Sequence, residues 1–186
     1  PTDTLYGVMA SALDCNSVER IYRIKGRNPA LPLPILLADL DDIPCYSSHM
    51  PKIALNLVEA FFPGPLTLVV EGNGNLPNIL TSDLDKVAIR IPNHDVPRGL
   101  ARRLGNPITG TSANLSGQAP SATADEVRKQ IGDDVDYIID GGRLDAGMPS
   151  TVLDVSNGYP RLIRQGIVTM AAIETVCGVR VAEPEK

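Results

Sequence analysis

Residues 108–117 read ITGTSANLSG, a short β-prone run that leads into a loop of mostly small side chains. Small side chains let backbone N–H groups and hydroxyls approach an anion closely, so TSANLSG (111–117) is a candidate phosphate loop. Ser, Asn and Gly are equally typical of ordinary turns, and that interpretation stays open here. In either case a strand at 108–111 delivers the loop, and the other elements decide the fold.

Helix and strand patterns alternate along the rest of the chain. Apolar spacing and terminal signals predict helices at 16–25, 51–62, 96–104, 123–131 and 169–176. Runs bounded by Gly, Asn or Pro predict strands at 33–38, 66–70, 87–91, 108–111, 137–140, 151–155 and 162–164. Interleaved elements of both kinds indicate an α/β domain with a mixed, twisted sheet.

Several residues predict where these elements begin and end. Asn16 or Ser17 is the expected N-cap of the first helix, and Gly26 its end. Thr123 and Glu126 have the spacing of a capping box. Pro34 favours an edge position or an irregular start for the strand at 33–38.

The composition excludes several classes of protein. The 186 residues, expected to form one domain over 1–186, carry a formal charge of −5, which argues against a broad basic face for nucleic acid. Three cysteines without a CxxC pair, and two histidines not at ligand spacing, predict no structural zinc, no disulfides and a reducing compartment. No apolar run approaches the roughly 20 residues of a membrane span, so we expect a soluble, cytoplasmic protein. The site-like string PTDTLYG (1–7) normally follows a strand, which suggests a segment before residue 1.

Five cationic residues lie at strand ends or loop edges, among apolar or turn residues: Lys25, Arg27, Lys86, Arg90 and Arg164. Arg90 lies in a run typical of a buried strand, so it needs an anion, either from a ligand or from an Asp or Glu across the sheet. Lys25 has the alternative of a solvated helix C-terminus, and Lys86 and Arg164 that of a solvated face. Cations, hydroxyls and backbone donors together suit a polyphosphate and a small carboxylate, with catalysis by positioning and charge stabilisation.

Other polar residues have structural interpretations. Asp3 fits an Asx turn, His94 a turn or helix cap, and Thr4 and Ser150 are hydroxyls in turns that contain proline. The sequence contains no GxSxG elbow and no GxGxxG or GxxxxGK[ST] loop. Covalent catalysis is therefore not expected, and a nucleotide would be held by another device.

Seven strings, taken in order, carry a resemblance that none of them carries alone. They are PTDTLYG (1–7), KGR (25–27), PGPLTLVV (63–70), VAIRIP (87–92), TSANLSGQAPS (111–121), PSTVLD (149–154) and LIRQG (162–166). Together they resemble the YrdC/TsaC family of L-threonylcarbamoyladenylate synthases, over residues 1 to about 166.

The resemblance implies a YrdC-like fold, a twisted open mixed sheet with flanking helices and a large concave cavity. It implies an enzyme that makes threonylcarbamoyl-AMP and pyrophosphate from L-threonine, bicarbonate and ATP, with Mg²⁺ carried by ATP and no metal or zinc held by protein side chains. The product would pass to a separate threonylcarbamoyl transferase complex that modifies position 37 of tRNA. At most weak tRNA binding, and no membrane, are expected.

The resemblance implies a set of site residues, at the positions of this sequence that match the family's motifs. The nucleotide-side positions are Lys25, Arg27, Lys86, Ser112, Asn114, Pro120 and Arg164. The threonine-side positions are Thr4, Arg90, Gly110 and Ser150. Lys25 and Arg27 are also the expected catalytic residues, because they would stabilise charge on the reacting phosphates.

One position departs from the family pattern. Leu36 stands where the family often has a His after KGR, which leaves the threonine-side contact open. The alternative functions are a YciO-like paralogue with little synthase activity and a non-enzymatic nucleotide- or RNA-binding module of the same fold.

Overall fold

A computed structural model describes residues 1–145 and 147–183. The strands are β1 (Gly7–Val8), β2 (Ile35–Leu36), β3 (Ser47–His49), β4 (Leu66–Gly72), β5 (Lys86–Arg90), β6 (Ile108–Thr109), β7 (Thr111–Ser112), β8 (Thr151–Asp154) and β9 (Arg161–Arg164). The helices are α1 (Cys15–Lys25), α2 (Lys52–Phe61), α3 (Asn78–Thr81), α4 (Asp95–Leu104), α5 (Ala124–Ile131) and α6 (Met170–Cys177). Short 3₁₀ turns cover Leu40–Cys45 and Gly132–Asp134.

The main sheet has seven strands in the order β6-β2-β5-β4-β8-β9, with β3 added beside β4. The pairs β2/β5 and β4/β8 are parallel, and the other pairs are antiparallel. A separate antiparallel ribbon joins β1 to β7. The prediction of an α/β domain with a mixed sheet is therefore confirmed.

Helix ends follow from local hydrogen bonding. The capping box of α5 is present, with Thr123 as N-cap, as predicted. The N-cap of α1 is Asp14 rather than Asn16 or Ser17, because the Asp14 carboxylate accepts the Asn16 N–H. The helix therefore begins at Cys15, one residue earlier than expected. Gly26 ends α1 as predicted, in the left-handed conformation (φ 56°) that glycine adopts at low cost.

The core lies on the faces of the main sheet. Apolar residues of β2, β4, β5 and β8 are almost fully buried, namely Ile35, Leu66, Leu68, Val70, Val87, Ile89 and Leu153. Their neighbours come from α1 and α2 and include Val18, Ile21, Ala54 and Leu57. Burial of this apolar surface is the main force that holds the strands in register, since a slip of one residue would expose it.

The structure corrects three of the predicted strands. No strand forms at 137–140; Tyr137 is 84% exposed, and these residues belong to the connection between α5 and β8. The run at 108–111 is split at Gly110 into β6 and β7, which belong to different sheets. The strand at 33–38 shrinks to Ile35–Leu36 and lies between β6 and β5, so Pro34 marks an irregular start rather than an edge.

Within the described parts of the chain, no helix has the length and apolar character that crossing a membrane requires.

Candidate functional site at one edge of the main sheet

The sheet topology brings two arginines and two hydroxyl side chains together at one end of four neighbouring strands. Because β4 is antiparallel to β5 and parallel to β8, and β9 is antiparallel to β8, strands β5 and β9 end where β4 and β8 begin. Arg90 and Arg164 are the last residues of β5 and β9, whereas Thr67 and Ser150 lie at the starts of β4 and β8. We call these four residues the cation edge.

Arg90 is buried at the centre of the cation edge. Its Nε donates to the Gly64 carbonyl (3.0 Å) and its Nη1 to Thr4 Oγ1 (3.1 Å). Its Nη2 donates to Asp3 Oδ1 at 2.5 Å, in an ion pair whose side chains are only 8% and 12% exposed. Burial lowers the pKa of Arg90, and the Asp3 carboxylate opposes that shift. The anion that a buried arginine requires is therefore an aspartate of the protein, which was one of the two alternatives from the sequence.

A hydroxyl pair lies beside Arg164. Thr67 Oγ1 and Ser150 Oγ are 2.9 Å apart and buried. Arg164 Nη2 donates to the Ser150 carbonyl (2.8 Å) and to Ser150 Oγ (3.2 Å). These bonds fix the direction of the Ser150 hydroxyl between a cation and a second hydroxyl.

Lys25 is the last residue of α1 and is buried, not solvated. Its ammonium donates to the Ser112 carbonyl and to the Asn114 carbonyl (2.7 Å), and Asn114 Oδ1 lies 3.5 Å away. In return, the Ser116 N–H donates to the Lys25 carbonyl (2.8 Å). The loop TSANLSG is therefore wrapped around a lysine ammonium. Burial first, and the Arg27 charge second, lower the pKa of Lys25 to about 8.

Arg27 connects Lys25 to the cation edge. Its guanidinium donates to the carbonyls of Leu31 (3.3 Å) and Pro32 (3.1 Å). After burial, its charge is the next cause of the lowered pKa of Arg164, as it is for Lys25. Arg164 in turn contributes to the lowered pKa of Arg90. Each of these four cations is therefore repelled by at least one other, in the series Lys25, Arg27, Arg164 and Arg90, and an anionic ligand beside them would relieve that repulsion.

Lys86 does not join this group. It is the first residue of β5, four residues or about 13 Å along the strand from Arg90. Its ammonium pairs with Asp154 Oδ2 (3.0 Å), at the far end of β8. Two cavities outlined among the described residues lie at this opposite edge and include Lys86 in their walls. The nucleotide-side role of Lys86 stays a prediction that the geometry does not favour, and the large concave cavity also stays a prediction.

The other predicted residues lie on the loops that border the group. Thr4 is buried and contacts Arg90. The Asn114 amide donates to the carbonyls of Leu115 (2.9 Å) and Gln118 (2.8 Å), so this side chain folds its own loop. Ser112 contributes its carbonyl to Lys25, and Pro120 is exposed.

Gly110 packs against Leu36, the residue that stands where the family often has a histidine. A Cβ at Gly110 would lie 2.7 Å from Leu36 Cδ2, so these two positions are in direct contact. Leu36 is buried beside β6. The departure from the family pattern is thus accommodated by apolar packing, and Gly110 has no free space beside it for a larger side chain.

Reasoning from the sequence missed two functional candidates. Asp3 pairs with Arg90 instead of forming an Asx turn; the turn is made by Thr2, whose Oγ1 accepts the N–H groups of Thr4 (3.1 Å) and Leu5 (3.2 Å). Thr67 is a lone hydroxyl in the apolar run LTLVV. A single hydroxyl in an apolar strand could have indicated a polar contact from the sequence alone, because a buried hydroxyl requires a hydrogen-bond partner.

The cation edge offers hydrogen-bond donors but few metal ligands. No group of three or more His, Cys, Asp or Glu side chains able to hold a metal ion occurs in residues 1–145 and 147–183. Such an arrangement can bind and polarise anions through charge and N–H donors.

Comparison with known proteins identifies the family. A sequence model of the family Sua5_yciO_yrdC, described as "Telomere recombination", matches residues 1–166. This chain belongs to that family. A family relative, Threonylcarbamoyl-AMP synthase of Pyrococcus abyssi, is 38% identical over 178 residues, which is 96% of this chain and 52% of that protein.

Solved structures of the Sua5_yciO_yrdC family have the same fold. P. abyssi Sua5 complexed with L-threonine has a TM-score of 0.93 at 38% identity, over 97% of this chain and 54% of that one. E. coli YciO has a TM-score of 0.83 at 27% identity, over 93% of this chain and 84% of that one. This chain spans about half the length of the P. abyssi protein.

Proposed function

We propose that this chain is an L-threonylcarbamoyladenylate synthase, which makes threonylcarbamoyl-AMP and pyrophosphate from L-threonine, bicarbonate and ATP. The proposal is carried by its similarity to a threonylcarbamoyl-AMP synthase along nearly the whole chain. The solved structure of a relative that is complexed with L-threonine supports the choice of amino acid. The clustering of Lys25, Arg27, Arg90 and Arg164 supports a ligand with several negative charges.

The nucleotide side consists of Lys25, Arg27 and the loop that follows β7. Lys25 and Arg27 hold the phosphates of Mg–ATP, and Ser112, Asn114 and Pro120 border them. Because Lys25 is hydrogen-bonded to loop carbonyls, a phosphate oxygen must replace at least one of those carbonyls. Arg164 lies between the two substrates, since it is coupled electrostatically to Arg27 and donates to Ser150.

The threonine side is centred on Arg90. A guanidinium has five N–H groups, and three of those on Arg90 are engaged by Gly64, Thr4 and Asp3. The other two can hold the threonine carboxylate. The hydroxyls of Thr4 and Ser150 lie beside them, and Gly110 shapes the wall through its packing on Leu36.

The reaction needs positioning and charge stabilisation, not a protein nucleophile. The threonine ammonium loses a proton to solvent, and the neutral amine attacks the carbon of bicarbonate, which loses water to give a carbamate. A carbamate oxygen then attacks the α-phosphorus, and the bond from that phosphorus to pyrophosphate breaks. Negative charge increases on the α-phosphate oxygens and on the departing pyrophosphate. Lys25, Arg27 and the Mg²⁺ that ATP carries stabilise it. The product then serves a separate tRNA-modifying transferase complex in the cytoplasm.

Pyrophosphate release tests the proposal. The purified protein should release pyrophosphate from ATP only when both L-threonine and bicarbonate are present. Release that does not depend on threonine would exclude the synthase, and so would the absence of any release. A YciO-like paralogue would bind ATP without threonine-dependent turnover, and an RNA-binding module would bind RNA with an affinity that falls steeply with salt.

Arg90→Lys separates the two substrate sides. Lysine keeps the positive charge beside Asp3 but loses the planar fork that holds a carboxylate with two hydrogen bonds. Loss of one charge-assisted hydrogen bond, about 1.5 to 3 kcal/mol, should raise the KM for threonine at least about tenfold. The KM for ATP should change much less. Steady-state kinetics with each substrate varied in turn gives the comparison, and equal increases in both KM values would contradict the assignment.

A further inference from the structure

Asp3 is a buried carboxylate with an unused oxygen. Its Oδ1 accepts from Arg90 Nη2 at 2.5 Å. Its Oδ2 is buried and has no hydrogen-bond partner among the described residues. Burial of a carboxylate oxygen without a donor is strongly destabilising, so Oδ2 requires a donor that the described residues do not supply.

The neighbouring groups do not fill this position. The Thr4 hydroxyl is bonded to Arg90 and to Thr2 Oγ1. His94 lies near enough for the Asp3 charge to oppose the lowering of its pKa by burial. Its Nδ1 accepts the Val96 N–H at the start of α4, so its Nε2 carries the ring proton, but no hydrogen bond joins it to Asp3 Oδ2. Oδ2 can therefore accept a hydrogen bond from a ligand.

The Asp3–Arg90 pair is complementary to a zwitterion. Arg90 has two unengaged N–H groups suited to a carboxylate, and Asp3 has one unengaged oxygen suited to an ammonium. A carboxylate without an amine would be held by Arg90 but repelled by Asp3, which touches the same guanidinium. An α-amino acid brings its own positive charge and removes that repulsion.

We infer that Asp3 binds the α-ammonium group of the amino acid whose carboxylate is held by Arg90, and thereby selects an amino acid over a simple carboxylic acid. The inference rests on the proposed function, because it takes Arg90 as the carboxylate site. Oδ2 is buried, so contact with a ligand requires the carboxylate to turn about its Cβ–Cγ bond, a torsion with a broad, shallow profile. The Thr2 turn holds the backbone while the carboxylate turns.

Calorimetric titration with two ligands tests the inference. L-threonine and 3-hydroxybutyrate, which is threonine without its amine, are titrated into the protein with an α,β-methylene analogue of ATP that blocks pyrophosphate release. The wild-type protein should bind threonine about 10- to 100-fold more tightly than 3-hydroxybutyrate. Asp3→Asn keeps an oxygen for Arg90 and removes the charge, so its threonine affinity should fall to that of 3-hydroxybutyrate. Its affinity for 3-hydroxybutyrate should stay constant or rise.

Each outcome has one meaning. If Asp3→Asn weakens both ligands by the same factor, Asp3 only orients Arg90 and the inference is wrong. If the wild-type protein binds the two ligands equally, the inference fails without any variant, which covers the case in which Asp3→Asn does not fold. If the wild-type protein binds neither ligand, the proposed function fails with it. Asp41→Asn, at an exposed residue of the Leu40–Cys45 turn, is the matched control and should leave both affinities unchanged.

Discussion

The ammonium of Lys25 serves two purposes at the scale of a single residue. It has three N–H groups, and carbonyl and amide oxygens of Ser112 and Asn114 surround it in the ligand-free protein. These contacts leave no buried charge without a partner. In the proposed nucleotide site, phosphate binding would therefore be an exchange of acceptors, in which anionic oxygens replace neutral carbonyls. The exchange should strongly favour the protonated lysine.

Proton uptake on ATP binding is therefore expected above pH 8. Lys25 has a pKa of about 8, so it is mostly neutral at pH 9 and mostly protonated at pH 6.5. A bound triphosphate raises that pKa, and the protein should take up most of one proton at pH 9 and almost none from Lys25 at pH 6.5. Calorimetry in two buffers with different ionisation enthalpies measures the uptake. Lys25→Met should abolish it, whereas Lys52→Met, at an exposed lysine of α2, should not; uptake that persists in Lys25→Met contradicts the prediction.

At the scale of elements, the site depends on close approaches between backbone segments. Gly166 follows β9, and a Cβ there would lie 2.3 Å from the Pro149 carbonyl oxygen and 2.4 Å from the Ser150 carbonyl carbon. The segment after β9 thus presses on the segment before β8, where Ser150 meets Arg164. The LIRQG string needs glycine for contact, not for an unusual backbone angle.

Gly166→Ala should damage both stability and the site. Backbone atoms on both sides leave little room to relax, so we expect a loss of about 3 kcal/mol in the free energy of unfolding, and a further loss of threonine-dependent turnover. Urea denaturation and pyrophosphate release measure the two effects. Gly178→Ala is the control: Gly178 ends α6 at φ 70° with open space around it, so only the backbone strain, about 1 to 2 kcal/mol, should appear. Equal losses in both variants would argue against the close contact.

The capping box of α5 provides a second test at this scale. Thr123 Oγ1 accepts the Glu126 N–H (3.2 Å), and Glu126 Oε2 accepts the N–H groups of Thr123 (3.3 Å) and Ala122 (2.7 Å). Thr123→Ala removes one of these bonds and should lower the free energy of unfolding by about 1 kcal/mol, seen as a lower urea midpoint with unchanged slope. Thr175→Ala, at an exposed threonine inside α6, should change the midpoint very little. A cap that contributed nothing would leave the two variants alike.

The sequence predicted correctly those helix ends that are determined by residues close to them in the chain. The Thr123–Glu126 spacing and Gly26 act within a few residues, and both were read correctly from the sequence. The strand expected at 137–140 was wrong because β-prone residues form a strand only beside a partner, and Tyr137 projects into solvent instead. Strands β1, β3 and the short helix α3 were missed, since their few residues carry no period of their own.

Contacts between residues that are distant in the sequence limit how much of the candidate site can be predicted from the sequence. The sequence predicted that buried Arg90 needs an anion, but Asp3 lies 87 residues away, and nothing local to either residue names the other. Conversely, Lys86 and Arg90 are close in sequence yet lie at opposite ends of β5. The order of the motifs predicted the candidate site residues, and the direction of the strands determines which of those residues lie near one another.

On the scale of the whole molecule, charge is distributed unevenly. The formal charge is −5, while Lys25, Arg27, Arg90 and Arg164 form one electrostatically coupled series. The arginines of α4 are partly neutralised, because Arg98 and Arg102 both pair with Asp39. A small polyanion can therefore be attracted to the cation series, while a long one meets a mostly acidic surface.

Transfer RNA should accordingly bind weakly. We expect a dissociation constant no tighter than about 10⁻⁵ M at physiological salt, in the range of non-specific binding, under conditions where ATP still binds. Fluorescence titration with a labelled tRNA at several salt concentrations measures this. Submicromolar binding with a steep salt dependence would favour the RNA-binding alternative over the synthase.

The hydrogen bonds that join the end of α1 to the 111–117 loop also affect the protein when no nucleotide is bound. Loop carbonyls of Ser112 and Asn114 surround the Lys25 ammonium where phosphate oxygens would lie in the proposed site, so this buried charge is satisfied without a nucleotide. Substitutions in the loop that move these carbonyls away from Lys25 should therefore shorten the lifetime of the protein during purification and storage without nucleotide. Added ATP should restore that lifetime.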